Sequence, residues 1–200
     1  MKIIRKVALV LALAATQGAS GATAQDTNPA LKVLSAPEDA TQKTVLVGRN
    51  VAKGMIVQLE LEPAKGMWMQ MGNPSTWTAH PVDSGELFHV EVKPIDPQSK
   101  TRISYAAVKF AAVNRQNGRK VDGKLHPMWG GSGLHYAMNS GLAGDGAYEA
   151  VVTVDVPTFA RDLKDKDRWM RSTSTTFYFR LADGKLTEVS EPMDEAALRK

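Results

Sequence analysis

Leu87-Phe88-His89-Val90-Glu91-Val92-Lys93 alternates apolar and polar side chains without a break. In a strand successive side chains point to opposite faces, so Phe88, Val90 and Val92 share one face and His89, Glu91 and Lys93 the other. The same period of two recurs in Val45 and Val47, in Met55, Val57, Leu59 and Leu61, in Tyr148, Ala150, Val152 and Val154, and in Phe177, Phe179 and Leu181. Alternation over short runs, separated by turn residues, is the signature of half-buried strands. The turn chemistry lies at Ala52-Lys53-Gly54, Asn117-Gly118, Asp122-Gly123, Gly144-Asp145-Gly146 and Asp183-Gly184. At least seven strands follow, and with them an all-β chain.

Working outward, the apolar-rich run from Ile103 to Val113 is helical by composition alone, but its β-branched and aromatic residues favour a central strand of a sandwich. Arg161 to Arg168 reads as a short surface helix or a solvated loop, and Glu188 to Lys200 as a partly helical tail. No long helix, internal repeat or low-complexity segment is evident.

The N-terminus has its own logic. Lys2, Arg5 and Lys6 precede an apolar run from Val7 to Ala15, and Ala22-Thr23-Ala24 offers a small-residue cleavage site. This predicts a secretory signal peptide over residues 1–24, too short in its apolar run to span a bilayer. Polar residues 25–42, with Pro29 and Pro37, read as a flexible N-terminal arm, and the β-sandwich domain is expected over 43–200. No later segment is apolar enough for a membrane helix, so the exported chain is expected in the periplasm and not embedded in the membrane. It has no cysteine, so neither disulfides nor a cysteine-linked lipid contribute and an ordinary core must hold the fold. The formal charge of +4 shrinks once the leader's three basic residues are set aside, leaving 22 Lys+Arg against 21 Asp+Glu. Such a balance gives no reason to expect nucleic acid as a partner.

The candidate chemistry is concentrated. Only four histidines occur, yet His89 and Glu91 share a strand face, and a glycine-rich loop, Gly130-Gly131-Ser132-Gly133, separates Met128 from His135. A flexible loop of this kind lets its two ends meet at one ion. Two imidazoles and a thioether suit copper in either oxidation state, while Glu91 suits a harder ion such as iron or manganese, or orients a histidine. His126 is two residues before Met128 and joins the candidate set, with Pro127 between them. Met67-Trp68-Met69-Gln70-Met71 would present three thioethers on one side if extended, as a soft trigonal Cu(I) site requires, with packing as the ordinary alternative. His80, in Thr78-Ala79-His80-Pro81, reads as a loop residue, with metal contact as the lesser alternative. No serine-nucleophile, phosphate-loop or His-Glu-x-x-His pattern is present, and cleavage before Gln25 would not expose an N-terminal histidine, so no enzyme is expected.

These motifs, in their order, resemble the bacterial periplasmic proteins of high-affinity ferrous iron transport. The resemblance runs over about residues 43–180. It rests on Pro127-Met128, the small-residue loop, His135-Tyr136, Asn139 and Gly146-x-Tyr148, together with Val51 to Met55, Glu62-Pro63, His89-x-Glu91 and Ile103-Ser104-Tyr105 leading to Asn114. It implies an immunoglobulin-like antiparallel β-sandwich, a homodimer, a copper site and an inner-membrane iron permease as partner. It also implies that His89, Met128 and His135 are copper ligands, with Glu91 as the nearby carboxylate; His126, as a replacement for a missing ligand, and Met69 are candidate donors on the residue reading alone. Two departures stand out: Ser132 where the family has an aspartate, and His126 where it has a methionine before the proline. No histidine follows His135, so the family's downstream ligand has no counterpart. A copper-handling chaperone and a degenerate, metal-free interaction module are the alternative functions.

Overall fold

A computed structural model describes residues 31–191; the expected leader, residues 25–30 and the tail beyond 191 lie outside them. The described residues form twelve strands. These are β1 (Leu31–Glu38), β2 (Val45–Ala52), β3 (Met55–Pro63), β4 (Met67–Met71), β5 (Thr76–His80), β6 (Phe88–Ile95), β7 (Val108–Asn114), β8 (Lys120–Gly130), β9 (Gly133–Ser140), β10 (Gly146–Val154), β11 (Thr173–Ala182) and β12 (Lys185–Ser190). The only helical element among them is a single 3-10 turn at Leu163–Asp165, which answers the open reading of the charged run.

Ten strands pair in the order β1-β12-β11-β10-β7-β8-β9-β6-β3-β2, while β4 and β5 form a separate hairpin. All the pairings are antiparallel. The fold turns on β8, whose first half, Lys120 to Leu125, pairs with β7 and whose second half, His126 to Gly130, pairs with β9. This shared strand joins two layers. At the far edge β2 returns onto the opposite layer, where Asn50 Nδ2 donates to Thr175 Oγ1 at 3.0 Å and to the Thr176 carbonyl at 2.7 Å. The result is the all-β antiparallel sandwich expected from the alternation.

Its core consists of the alternating residues already singled out. Val57, Leu59 and Leu61 of β3, Phe88, Val90 and Val92 of β6, and Tyr136 of β9 belong to one buried cluster with Phe110 of β7, Tyr148 and Val152 of β10, and Phe177 and Phe179 of β11. Burial of this apolar surface is the main stabilising term, at about 25 cal/mol per Å². Tyr148 and Phe179, cross-strand partners, stack with centroids 4.8 Å apart.

Three expectations change. Residues 31–38 are not a loose arm: they form β1, the edge strand paired with β12, because the backbone of β12 offers a free ladder that even a polar segment can complete. The folded unit therefore includes residues well before Lys43. The strand expected over Ile103 to Val113 begins only at Val108, since Tyr105 adopts φ 55° and is exposed, which interrupts an extended run. Asp122-Gly123 is not a turn but lies within β8, where a Cβ on Gly123 would fall 2.6 Å from Met138 Sδ. The turns at Lys53-Gly54 and Asp183-Gly184 do form, with positive φ at both residues of each pair.

Candidate metal centre

β6 is buried along its whole length, on both faces. The polar side opposite the core, where an antiparallel sheet is commonly solvated, is closed over in this protein. His89, Glu91 and Lys93 retain 0%, 1% and 5% exposure. Register explains what surrounds them. On one side β3 sets Glu62 opposite His89, Glu60 opposite Glu91 and Gln58 opposite Lys93. On the other, β9 sets Asn139 opposite His89 and the small Ala137 opposite Glu91, with His135 on the same face two residues away. The next strand sets Met128 opposite His135 and His126 opposite Ala137. Directly opposed residues hold their Cβ atoms about 5 Å apart, so Met128 and His135 are neighbours even though the loop separates them in sequence.

Each imidazole is held by one nitrogen. His89 Nδ1 is 2.8 Å from Asn139 Oδ1, and the Asn139 amide nitrogen donates at 3.0 Å both to the Lys65 carbonyl and to Glu86 Oε2. Those two donations fix the amide orientation, so Oδ1 accepts and His89 Nδ1 donates. His135 Nδ1 donates to the Gly133 carbonyl at 2.8 Å. In both rings Nδ1 is thus engaged, and Nε2 is the nitrogen left to meet a ligand. Both Nε2 atoms are buried and lack a hydrogen-bond partner. Their nearest carboxylates, Glu91 Oε2 at 3.6 Å from His135 and Glu62 Oε1 at 3.9 Å from His89, lie beyond hydrogen-bonding range. Ligand atoms of His89, Glu91 and His135 lie within 4.8 Å of one another.

The electrostatics keep this donor set available. Burial lowers His89 to about 4 despite the opposing bond to Asn139, so the ring is neutral. Glu91 is buried, which works against its charge, but hydrogen bonds from Glu62, Lys93 and Ser132 outweigh that and hold it well below the usual carboxylate range. Glu62 moves the opposite way, raised by burial and by its bond to Glu91. Lys93 Nζ lies 2.7 Å from Glu91 Oε1 and also pairs closely with Glu60. Ser132, in the position where the resemblance implies an aspartate, donates to Glu91 Oε1 at 2.8 Å and lies 3.3 Å from His135 Nδ1, so a hydroxyl links loop, carboxylate and imidazole.

A cavity of about 590 Å³ opens in front of this row, lined by Met128, His135, His126 and Met69 together with Trp68, Trp77 and Trp129. Four of the six candidate residues thus meet at one cavity, while His89 and Glu91 lie buried among the strands behind His135. His126 is exposed and reaches the cavity from the row beyond Met128. Glu62 and the anchoring role of Asn139 were not among the expected site residues. Their signal was weak: Glu62 continues the polar alternation of Gln58 and Glu60, but only the β3–β6 register brings it to His89.

The donor set fits a copper ion. Two imidazole nitrogens, a thioether on the adjacent strand position and an ionised carboxylate are ligands that copper accepts in both oxidation states. Two orphaned imidazole nitrogens would otherwise each cost about 1–3 kcal/mol of unrelieved desolvation.

The family model described as Fe2+ transport protein matches residues 90–182, the stretch that holds Glu91, Met128 and His135. No curated protein matches the chain. Among solved structures, FetP of uropathogenic Escherichia coli strain F11 superposes with a TM-score of 0.52 at 19% identity, covering 70% of this chain and 97% of that one. A copper-bound variant of the same protein gives a TM-score of 0.56 at 19% identity, covering 70% of this chain and 94% of that one. Copper-reconstituted P19 of Campylobacter jejuni gives 0.54 at 18% identity, covering 75% of this chain and all (100%) of that one. At such identities the likeness is one of fold, and the chain resembles the iron-transport family in both sequence motif and architecture.

Proposed function

We propose that this is an exported protein of ferrous iron uptake that holds one copper ion at His89, His135 and Met128, with Glu91 beside it. The observation that carries this reading is the pair of buried, partnerless Nε2 atoms, each on a ring whose other nitrogen is tied down. Proteins spend folding free energy on such an arrangement when a ligand satisfies it. The relatives add support, since structures of two proteins of this fold contain copper and the matching family is named for Fe2+ transport.

The residues divide the work. Asn139 and the Gly133 carbonyl orient the imidazoles, Ser132 and Lys93 keep Glu91 ionised, and Met128 supplies a soft donor that tolerates Cu(I). Bound copper supplies a one-electron redox centre, which suits a step in which iron changes oxidation state. Lys93 already neutralises Glu60 and Glu91, so an iron or manganese ion at those oxygens must compete with an ammonium. Copper at the imidazoles faces no such competitor. The protein acts by binding and not by turnover, in the periplasm, as a homodimer serving an inner-membrane iron permease. No helix among the described residues is long and apolar enough to cross a membrane, and the exposed Trp68, Trp77 and Trp129 around the cavity suit a protein contact.

Titration of the purified protein with copper tests this directly. With Cu(II), one tightly bound ion per chain, lost in His89→Ala and His135→Ala, is expected. No Cu(II) binding, or binding indifferent to both substitutions, would mean that this centre is not a copper site and leave an interaction module as the better reading.

A further inference from the structure

The β4–β5 hairpin creates a second concentration of soft donors. Met67, Met69 and Met71 alternate along β4 and so share one face, and register sets His80 directly opposite Met67. Beneath this face lies a separate cavity of about 240 Å³, lined by all four of these residues together with His126 of β8 and Met138 of β9. Four of the chain's nine methionines and two of its four histidines converge here.

Packing accounts for Met67, which is buried, and for Met138, which lies against the core, but not for Met69 and Met71. A methionine that fills a core gap is buried, whereas Met69 is only half-buried and Met71 is 47% exposed. Gly123 bears on the same point. Any side chain there would collide with Met138 Sδ, so the strand leaves room for that sulfur at the cavity wall.

We propose that this cavity is a second, thioether-rich site for a monovalent soft ion, Cu(I), distinct from the His89–His135 centre. Thioethers with imidazole favour Cu(I) over Cu(II) and over hard ions, and the three rotatable bonds of methionine let the sulfurs close on an ion. Met67, Met69 and His126 line both this cavity and the larger one that holds Met128 and His135. The site therefore serves as a holding position from which Cu(I) passes to the centre; that destination, though not the site itself, rests on the function proposed above. The step is transfer of an ion between ligands, with no change of oxidation state.

The test is an anaerobic titration of the purified protein with Cu(I) against the chromogenic chelator bicinchoninate. Two Cu(I) per chain are expected. The triple variant Met69→Leu, Met71→Leu and Met138→Leu should bind one, and the double variant His89→Ala and His135→Ala should also bind one, with sulfur-dominated X-ray absorption. Leucine conserves volume, and Met71→Leu alone, at the most exposed of the three, should weaken the second ion at least tenfold with an unchanged thermal melt. A wild-type stoichiometry of one that vanishes in the His variant would overturn the second site and leave the centre standing. Two ions retained by the triple variant would overturn it as well. A single ion that vanishes only in the Leu variant would instead remove the centre and keep this site.

Discussion

The imidazoles of His89 and His135 lie with ring centroids 6.0 Å apart and planes at 83°, each fixed through Nδ1 and each with Nε2 free of any hydrogen-bond partner. Strands β6 and β9 bring them together, and the hairpin from β8 to β9 adds Met128 on the same face.

Copper should stabilise the fold through this pair. An ion present at a hundredfold excess over its Kd adds about 2.7 kcal/mol, a rise in melting temperature of roughly 5–10 °C for a chain of this size. Differential scanning calorimetry of wild type and His135→Ala measures it. Equal shifts in the two proteins would place the ion elsewhere.

Asn139 anchors His89 without being a ligand. Asn139→Leu should lower Cu(II) affinity about 10- to 100-fold while leaving one Cu(II) per chain, as loss of a partner that orients a ligand does. Competition against a chelator of known affinity reads this, and unchanged affinity would mean that His89 is oriented by packing alone.

Lys93 is the cation of a buried carboxylate pair, within reach of both Glu60 and Glu91. Lys93→Met leaves those charges without compensation and should cost about 3–5 kcal/mol in urea unfolding. Manganese(II) in the buffer should recover part of the loss, because the two carboxylates then form an oxygen site for a hard ion. A variant as stable as wild type would refute the pairing.

Asp96 governs acid sensitivity far from the centre. It is buried, which works to raise its pKa, but the Ser99 hydroxyl, the backbone N–H groups of Gln98 and Ser99 and the Arg168 guanidinium prevail and hold it below the ordinary aspartate value. The folded state thus binds this proton more weakly than the unfolded chain does. Its contribution is complete above the unfolded value and disappears as pH falls through the lower folded value. Asp96→Asn should lose about 1–3 kcal/mol at neutral pH and show a flatter stability profile below pH ~4 than wild type, measured by denaturant melts across the acid range.

Closure of the sandwich depends on Gly48. A Cβ there would lie 2.8 Å from Phe177 Cδ1 and 2.9 Å from Ser190 Cβ, across the contact of β2 with β11 and β12. Gly48→Ala should destabilise by about 1–3 kcal/mol, as overpacking does, while leaving copper stoichiometry unchanged. A neutral effect in thermal unfolding would show that the two layers shift apart freely.

Much of this protein is written in local pattern. Alternation along β3, β6, β10 and β11 is enough to specify strands and the inward-facing residues, because a period of two is a property of the extended backbone and needs no partner. The candidate donors were equally legible by type, since imidazole and thioether side chains carry their chemistry without any fold. Tertiary structure decided the rest. Residues 31–38 carry no strong strand signal and are strand only because β12 offers an unpaired edge. The polar face of β6 looks solvated in sequence, yet it is buried because β3 and β9 flank it in a register that no local rule encodes. That register, a property of three strands at once, sets Glu62 and Asn139 against His89 and Lys93 beside Glu60 and Glu91, while the packing of the separate β4–β5 hairpin brings its methionines to one cavity with His126 and Met138.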